Sequence, residues 1–245
     1  FDITYFLYEA SCYFRNYGIE KFELLIVTKL GIRPIERTEE VYNLSIEKKE
    51  QRIYDLLLPI AHLYEECESV NVVSDISTVD HILNGAALVY PHTYSIKYPQ
   101  KIDHRTINKH ERNGAKFEGI VINQEDVNRV KKWLEQYNIN QPFVTFTLRS
   151  YSFQESRNSD PELLNKFLKF LGNLGFMVVI IPDTENIEPV KEFKECPVFF
   201  QGTFNIYQRA ALYELAYTNL FTSNGTHALS VFNKQSSFIF SKLVH

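Results

Sequence analysis

Short apolar runs rich in β-branched and aromatic residues alternate with longer helical patterns along this chain, and that alternation limits its fold more than any other feature. Both halves of the sequence show it. Strands that alternate with helices pair in parallel, because each connecting helix returns the chain to the same end of the sheet. The sequence therefore predicts an α/β fold with two Rossmann-like domains, in which parallel sheets are flanked by helices.

A stretch with little apolar periodicity separates the two halves. Residues 91–119 are rich in His, Lys, Asn, Tyr and Pro, which is typical of a linker or a long functional loop. We place the domain boundary near residue 120, so that residues 1–119 form an N-terminal domain and residues 120–245 a C-terminal one. The chain starts without a methionine and stops just after a strand-like run, so a truncation of the second domain is left open.

The apolar patterns also predict the individual elements. The predicted strands of the first half are 3–8, 22–28, 70–73 and 86–90, and its predicted helices are 47–66 and 77–83. The predicted strands of the second half are 143–148, 176–181, 198–200, 219–222 and 237–240. Its predicted helices are 125–137, 160–174, 206–216 and 226–232.

The composition excludes several classes of protein. With 26 basic and 30 acidic residues the net charge is −4, which offers no electrostatic footprint for nucleic acid. Cys12, Cys67 and Cys196 are widely spaced, which predicts neither a disulfide framework nor a zinc site and favours a reducing compartment. No apolar run approaches the roughly 20 residues that span a bilayer. We therefore expect a cytoplasmic protein without a transmembrane segment, and leave open a peripheral position at the inner face of a membrane.

A sharp turn at Asn224-Gly225 follows one predicted strand and precedes a predicted helix. A glycine there lets the backbone come close to a ligand, and the N–H groups at the start of the helix attract anions. The expected ligand is a phosphate, and Ser223, Asn224, Gly225, Thr226 and His227 are its predicted contacts. The alternatives are that the turn only makes a tight connection and that His227 is a hydrogen-bonded, half-buried side chain.

Two other predicted strands are followed by polar residues, and ligands of open α/β sheets bind beyond the carboxyl ends of strands. The Arg149 guanidinium can bind two oxygens of a diphosphate, and Arg157 lies in the same loop. Asp183 is predicted to contact a ribose or a base edge, with helix capping or turn formation as its alternative. The alternative partners of the arginines are surface carboxylates, namely Glu155, Asp160 and Glu162.

Most of the C-terminal half resembles the late segment of GT-B glycosyltransferases, particularly of the heptosyltransferase type. In that family a helix and a strand lead to a turn with an Asp-x-Gly-Pro-x-His-like motif that contacts the donor diphosphate. Here Ser223 or Asn224 stands in for the Asp, and Gly225 matches the Gly. Thr226 replaces the Pro, and His227 aligns with the His.

This resemblance implies a GT-B-like fold and an enzyme that moves a sugar from a nucleotide-diphosphate sugar to a glycan or another hydroxyl acceptor. Arg149 stands where such folds often place a basic donor-phosphate residue. GT-B enzymes generally need no metal, and the sequence has no Asp-x-Asp pair. We therefore expect no metal and no cofactor besides the nucleotide-sugar co-substrate. The candidate general bases are Glu9 and His92, each just past a predicted strand.

The N-terminal half lacks the Gly-rich acceptor loop that is common after the first strand of these enzymes. Two alternative functions keep the same architecture, because a fold does not determine a reaction. One is a nucleotide-sugar epimerase or hydrolase. The other is a non-catalytic protein that binds a nucleotide or a sugar.

Overall fold

The computed structural model describes residues 2–28, 45–92, 94–95, 119–151, 155–184, 186–222 and 224–240. The chain divides into two compact units, residues 2–119 and residues 120–245. Each unit contains a parallel sheet. Helices accompany the strands in both. The predicted fold class, α/β with parallel sheets flanked by helices, is confirmed.

The described part of the N-terminal unit begins with a helix and holds a two-stranded sheet. Its elements are α1 (Asp2–Arg15), β1 (Phe22–Val27), α2 (Ile46–Arg52), a π-helical turn (Ile53–Leu57), α3 (Leu58–Ala61), β2 (Cys67–Val73) and α4 (Ile76–Gly85). The side chain of Asp75 starts α4 by accepting a hydrogen bond from the backbone N–H of Thr78 at 2.8 Å. Two predicted strands of this half, 22–28 and 70–73, are thus confirmed as β1 and β2.

Residues 3–8, predicted as the first strand, lie in helix α1 instead. Their β-branched and aromatic side chains favoured a strand, but a strand would bury every second residue. The buried side chains of α1 are Thr4 and every residue from 7 to 12, a continuous run without the alternation of a strand. The packing of the fourteen-residue helix thus outweighs the local strand preference of residues 3–8. Glu9 therefore lies in the middle of a helix and not beyond the end of a strand.

Residues 86–90, predicted as a strand, belong to no strand in the described part of the N-terminal unit. Tyr90, the last of them, packs against α1 instead. The ring of Tyr90 lies 5.6 Å from that of Phe6 and 5.0 Å from that of Tyr13. Its hydroxyl donates a hydrogen bond to Glu9 Oε2 at 2.8 Å. Burial and the neighbouring Glu9 carboxylate raise the pKa of Tyr90.

The C-terminal unit holds a larger sheet, in which every neighbouring pair is parallel and the strand order is β4-β3-β5-β6. Its helices are α5 (Gln124–Gln136), α6 (Pro161–Asn173), α7 (Gln201–Phe204), α8 (Ile206–Leu215) and α9 (Ala228–Val231). Its strands are β3 (Phe143–Thr147), β4 (Met177–Ile181), β5 (Thr218–Phe221) and β6 (Phe238–Phe240). Three 3₁₀ turns complete it: Glu155–Arg157, Glu188–Glu192 and Gly225–His227.

The start of α6 shows how the sequence sets these boundaries. Asp160 accepts hydrogen bonds from the backbone N–H groups of Glu162 and Leu163, at 2.9 and 3.2 Å, and Pro161 occupies the first helical position. After the helix, Gly175 adopts a φ of +85°, which a glycine tolerates best. The capped helix then packs its apolar face on β3 and β4, where the core of the unit lies.

Residues 198–200, predicted as a strand, form only a single parallel bridge, from Val198 to Ile180 of β4. The chain turns at once into α7, where the ring of Phe199 packs on Gly202. A Cβ atom at position 202 would lie 2.6 Å from that ring. This close packing of ring on backbone ends the pairing with β4 after one residue.

Cys67, at the start of β2, should make the stability of the N-terminal unit depend on pH. Burial raises the pKa of its thiol from the ordinary 9.0 to about 11. The folded chain therefore keeps this proton at pH values where the unfolded chain loses it. The stabilisation is complete below pH 9 and is lost as the pH rises towards 11.

We expect the difference in unfolding free energy between wild type and Cys67→Ala to shrink by about 2 kcal/mol between about pH 8 and about pH 10.5. Urea denaturation at a series of pH values measures it. Comparing the two proteins at each pH removes the contribution of the other groups that titrate in this range. A difference that stays constant with pH would contradict a buried, protonated thiol.

Candidate functional site

The carboxyl ends of β3, β4 and β5 lie side by side, because these neighbouring strands are parallel. The chain passes from β3 to β4 on one side, whereas β5 and β6 extend the sheet on the other side. Ligands of open α/β sheets bind where the strand order reverses in this way. Arg149, Asp183 and Asn224 each follow one of the three strands, so the structure brings these predicted residues to one edge of the sheet.

Arg149 is only 6% exposed, and the loop that follows it folds back to hold it. Its backbone N–H donates to Ser159 Oγ at 2.9 Å, and its carbonyl accepts from the N–H of Ser159 at 2.8 Å. Its guanidinium donates through Nη1 to Asn158 Oδ1 at 2.6 Å and lies 5.7 Å from the ring centroid of Tyr151. The side chain is thus positioned by its own loop.

The guanidinium groups of Arg149 and Arg157 influence each other. Burial lowers the pKa of Arg149, the positive charge of Arg157 lowers it further, and the Asp183 carboxylate raises it. Arginine nevertheless keeps its charge at neutral pH. Arg157 is half-buried at the end of its 3₁₀ turn. A bound anion stabilises two neighbouring guanidinium groups, because each can donate charge-assisted hydrogen bonds to it.

Side-chain hydrogen bonds join the three loops to one another. Asp183 Oδ2 accepts from the backbone N–H of Ser150 at 2.9 Å, and Asn186 Nδ2 donates to Ser150 Oγ at 2.9 Å. Asn224 Nδ2 donates to the carbonyl of Thr147 at 3.3 Å. Asp183 therefore joins the loop after β4 to the loop after β3, and its contact with a ligand stays a prediction.

The turn after β5 is held by its own side chains. Asn224 Oδ1 accepts from Thr226 Oγ1 at 2.9 Å, and the carbonyl of Asn224 accepts from Nδ1 of His227. Gly225 is exposed at the start of the 3₁₀ turn. Helix α9 has only four residues, so its dipole adds less than the predicted longer helix would. Ser223 lies outside the described residues.

His227 is half-buried, and its ring packs 5.1 Å from that of Phe240 and 6.4 Å from that of Phe221. A carbonyl oxygen can only accept, so the bond to Asn224 places a proton on Nδ1. This is the hydrogen-bonded, half-buried histidine of the alternative interpretation. A contact between its Nε2 atom and a ligand stays a prediction.

The two predicted bases lie in the N-terminal unit. Glu9 is 1% exposed and accepts the hydrogen bond from Tyr90. His92 is exposed and follows Pro91, two positions after Tyr90. Helix α1 turns the Glu9 side chain into the unit, so Glu9 is the less accessible of the two candidates. The catalytic assignment of both residues stays a prediction.

A cavity of about 290 Å³ lies between α6 and the strands β5 and β6, and residues just past the carboxyl end of β5 contribute to its lining. Its wall is apolar apart from one polar end, formed by Ser159, Asp160 and Thr222. The hydroxyl of Thr222 is buried without a hydrogen-bond partner in the described structure. Such a lining suits an apolar group and not a diphosphate, and the contact of the arginines with an anion stays a prediction.

The sequence interpretation missed Asn158 and Tyr213. Asn158 fixes the Arg149 guanidinium, and the Tyr213 hydroxyl lies 2.7 Å from Thr147 Oγ1 at the end of β3. A polar run before a capped helix surrounds Asn158, and a helical apolar pattern surrounds Tyr213. Neither context distinguishes a residue that supports a site from an ordinary loop or core residue.

Among the described residues, no group of three or more His, Cys, Asp and Glu side chains is arranged to hold a metal ion. In the same part of the chain, no helix has both the length and the apolar character needed to cross a bilayer.

No protein-family model matches this sequence, and no curated protein matches it. The fold resembles that of a glycosyl transferase family 9 protein from Veillonella parvula DSM 2008, with a TM-score of 0.57 and 12% identity, over 91% of this chain and 87% of that one. It also resembles ADP-heptose LPS heptosyltransferase II from E. coli, with a TM-score of 0.50 and 10% identity, over 99% and 86% of the two chains. This chain therefore has the GT-B fold of these two solved structures.

Proposed function

We propose that this protein is a glycosyltransferase that moves a sugar from a nucleotide-diphosphate sugar to a hydroxyl group of a glycan or another acceptor. One observation carries the proposal. Arg149, in the loop after β3, and the turn at Asn224, which bonds to the end of β3, lie where the strand order of the C-terminal sheet reverses. The likeness to two solved glycosyltransferases supports it at the level of the fold.

The chemistry of the transfer matches this arrangement. When the bond between the sugar and the diphosphate breaks, negative charge develops on the leaving nucleoside diphosphate. Positioned guanidinium groups stabilise that charge more in the transition state than in the bound substrate. Arg149 is buried, and a charge with little water around it interacts more strongly than an exposed one. We assign Arg149 and Arg157 to the diphosphate, and Asp183 to the ribose or the base.

The acceptor hydroxyl must lose a proton as it attacks the sugar, which requires a general base. Glu9 and His92 remain our candidates. The exposed imidazole of His92 can meet an acceptor where it lies. We also propose that the transfer needs no metal ion, because two guanidinium groups can supply the positive charge that the leaving group requires.

Binding of nucleotides tests the proposal. We expect one nucleoside diphosphate among ADP, GDP and UDP, or its sugar, to raise the melting temperature, with an unchanged response in EDTA. A ligand that binds only the folded state at about 100 times its Kd adds about 2.7 kcal/mol of stability. CMP, with a single phosphate, should act more weakly. Arg129→Ala is the matched control for the Arg149→Ala variant, because Arg129 is exposed on α5 and paired with Glu125.

The absence of a shift with all of these nucleotides would refute the proposed function. Consumption of the nucleotide sugar without an acceptor would indicate an epimerase or a hydrolase. Tight binding without any turnover, whatever acceptor is added, would indicate a non-catalytic binding protein.

A further inference from the structure

Tyr213, on α8, is fully buried. Its hydroxyl lies between two threonines, one at the carboxyl end of β3 and one in the turn after β5. Thr147 Oγ1 is 2.7 Å away and Thr226 Oγ1 is 3.5 Å away, the second at the long limit of a hydrogen bond. Thr147 is the last residue of β3, shortly before Arg149, and Thr226 lies in the turn after β5. One hydroxyl therefore touches both segments that carry the predicted anion contacts.

The hydroxyl groups of Thr147, Tyr213 and Thr226 form a hydrogen-bond network with Asn224, in which each hydroxyl can donate to the next group. Thr147 donates to Tyr213, Tyr213 donates to Thr226, and Thr226 donates to Asn224 Oδ1 at 2.9 Å. Asn224 Nδ2 then donates back to the carbonyl of Thr147 at 3.3 Å. Hydrogen bonds in such a chain strengthen one another. The network closes on itself and joins the exit of β3 to the turn.

The ring of Tyr213 is held independently of its hydroxyl. It packs edge-on against Phe221 at 5.2 Å. The backbone carbonyl of Tyr213 accepts from Asn219 Nδ2 at 2.7 Å. Removal of the hydroxyl alone should thus leave the helix and the ring in place, while Thr147 and Thr226 lose their common partner.

We propose that Tyr213 is a positioning residue, whose hydroxyl holds the exit of β3 and the turn at 224–227 at the separation that one diphosphate bridges. This inference rests on the proposed function and adds to it a residue that the ligand never touches. Because Tyr213 is fully buried, it acts through Thr147 and Thr226.

The test is Tyr213→Phe, with two probes: the nucleoside diphosphate that stabilises the wild type most, and its parent nucleoside. We expect the diphosphate affinity to fall about five- to tenfold, the size of one neutral hydrogen bond, with the nucleoside affinity unchanged. Thr147→Val should have a similar effect, and the double variant should lose no more than either single variant. Tyr217→Phe makes the same change at an exposed tyrosine and should have no effect.

Amide hydrogen exchange provides a second readout that needs no ligand. In Tyr213→Phe we expect the amides of residues 224–228 to exchange about tenfold faster, while those of β4 keep their rates. Unchanged exchange, unchanged diphosphate affinity, or an equal loss of diphosphate and nucleoside affinity would each overturn the positioning role while the proposed function stands. A wild type that binds none of the nucleotides would overturn both.

Discussion

Replacing Arg149 with alanine is expected to weaken the binding of the nucleoside diphosphate by about 30- to 150-fold, which corresponds to about 2–3 kcal/mol. The guanidinium is almost fully buried and is aimed by Asn158, so its bonds to a phosphate need little further ordering. Isothermal titration calorimetry measures the change directly. The affinity for the parent nucleoside, which carries no phosphate, should stay the same.

A second variant at the same position separates the charge of Arg149 from its shape. Arg149→Lys keeps the charge but loses the planar fork and the bond to Asn158, so we expect an intermediate loss of affinity. The loop should survive both changes, because Asn158 also bonds the backbone of Tyr151 in both directions, at 3.0 and 2.9 Å. If Arg149→Ala bound the diphosphate as tightly as wild type, the anion site would have to lie elsewhere.

The second large effect concerns stability and centres on Asn219 of β5, which is fully buried. Its Nδ2 atom lies 2.7 Å from the carbonyl of Tyr213, 2.9 Å from that of Ser237 and 3.0 Å from Ser236 Oγ. Its Oδ1 atom accepts from Thr145 Oγ1 at 2.6 Å. One amide thus satisfies groups on β3, at the end of α8 and in the approach to β6.

Asn219→Leu is expected to lower the free energy of unfolding by about 3–5 kcal/mol. Leucine has a similar size but removes four hydrogen bonds, each worth about 0.5–1.5 kcal/mol, and takes from the buried Thr145 hydroxyl its bond to Asn219. Urea denaturation followed by fluorescence measures the effect, because the chain has one tryptophan, Trp133, and it is buried in the same unit.

The matched control is Asn128→Leu, the same change at an exposed position of α5. It should shift the free energy of unfolding by less than about 0.5 kcal/mol. Equal effects of the two substitutions would show that the hydrogen bonds of Asn219 contribute nothing specific to the sheet.

The C-terminal sheet was largely predictable from sequence, because its strands are short, continuous apolar runs and its helices carry recognisable starts. The Asp160-Pro161 pair predicted the start of α6 to within one residue. Because ligands of open α/β sheets bind beyond the carboxyl ends of the strands, Arg149, Asp183 and Asn224 were expected at the same end of the sheet. In the first half, an aromatic and β-branched run of six residues has the composition of a strand. That run lies instead in a helix of fourteen residues, in which residues 7–12 are all buried and not every second one.

The supporting residues of the candidate site could not be predicted in this way. Asn158 reaches Arg149 only because a loop folds back, and Tyr213 lies 66 positions from Thr147. Contacts that depend on the tertiary fold produce no pattern in the local sequence. The buried position of Glu9 was missed for a related reason, since it depends on which face of α1 packs inward.

The parallel order of the C-terminal sheet has a consequence for how the chain is made. Of its two inner strands, β3 leaves the ribosome before β5, yet Thr145 of β3 bonds to Asn219 of β5, 74 positions later. Pairing of such distant segments must overcome the entropy lost in closing the long loop between them. During synthesis one side of β3 therefore stays without its neighbouring strand until β5 has left the ribosome. The carboxyl ends of β3 and β5 come together only in that step, so under the proposed function a nascent chain can bind its nucleotide only after these strands have paired.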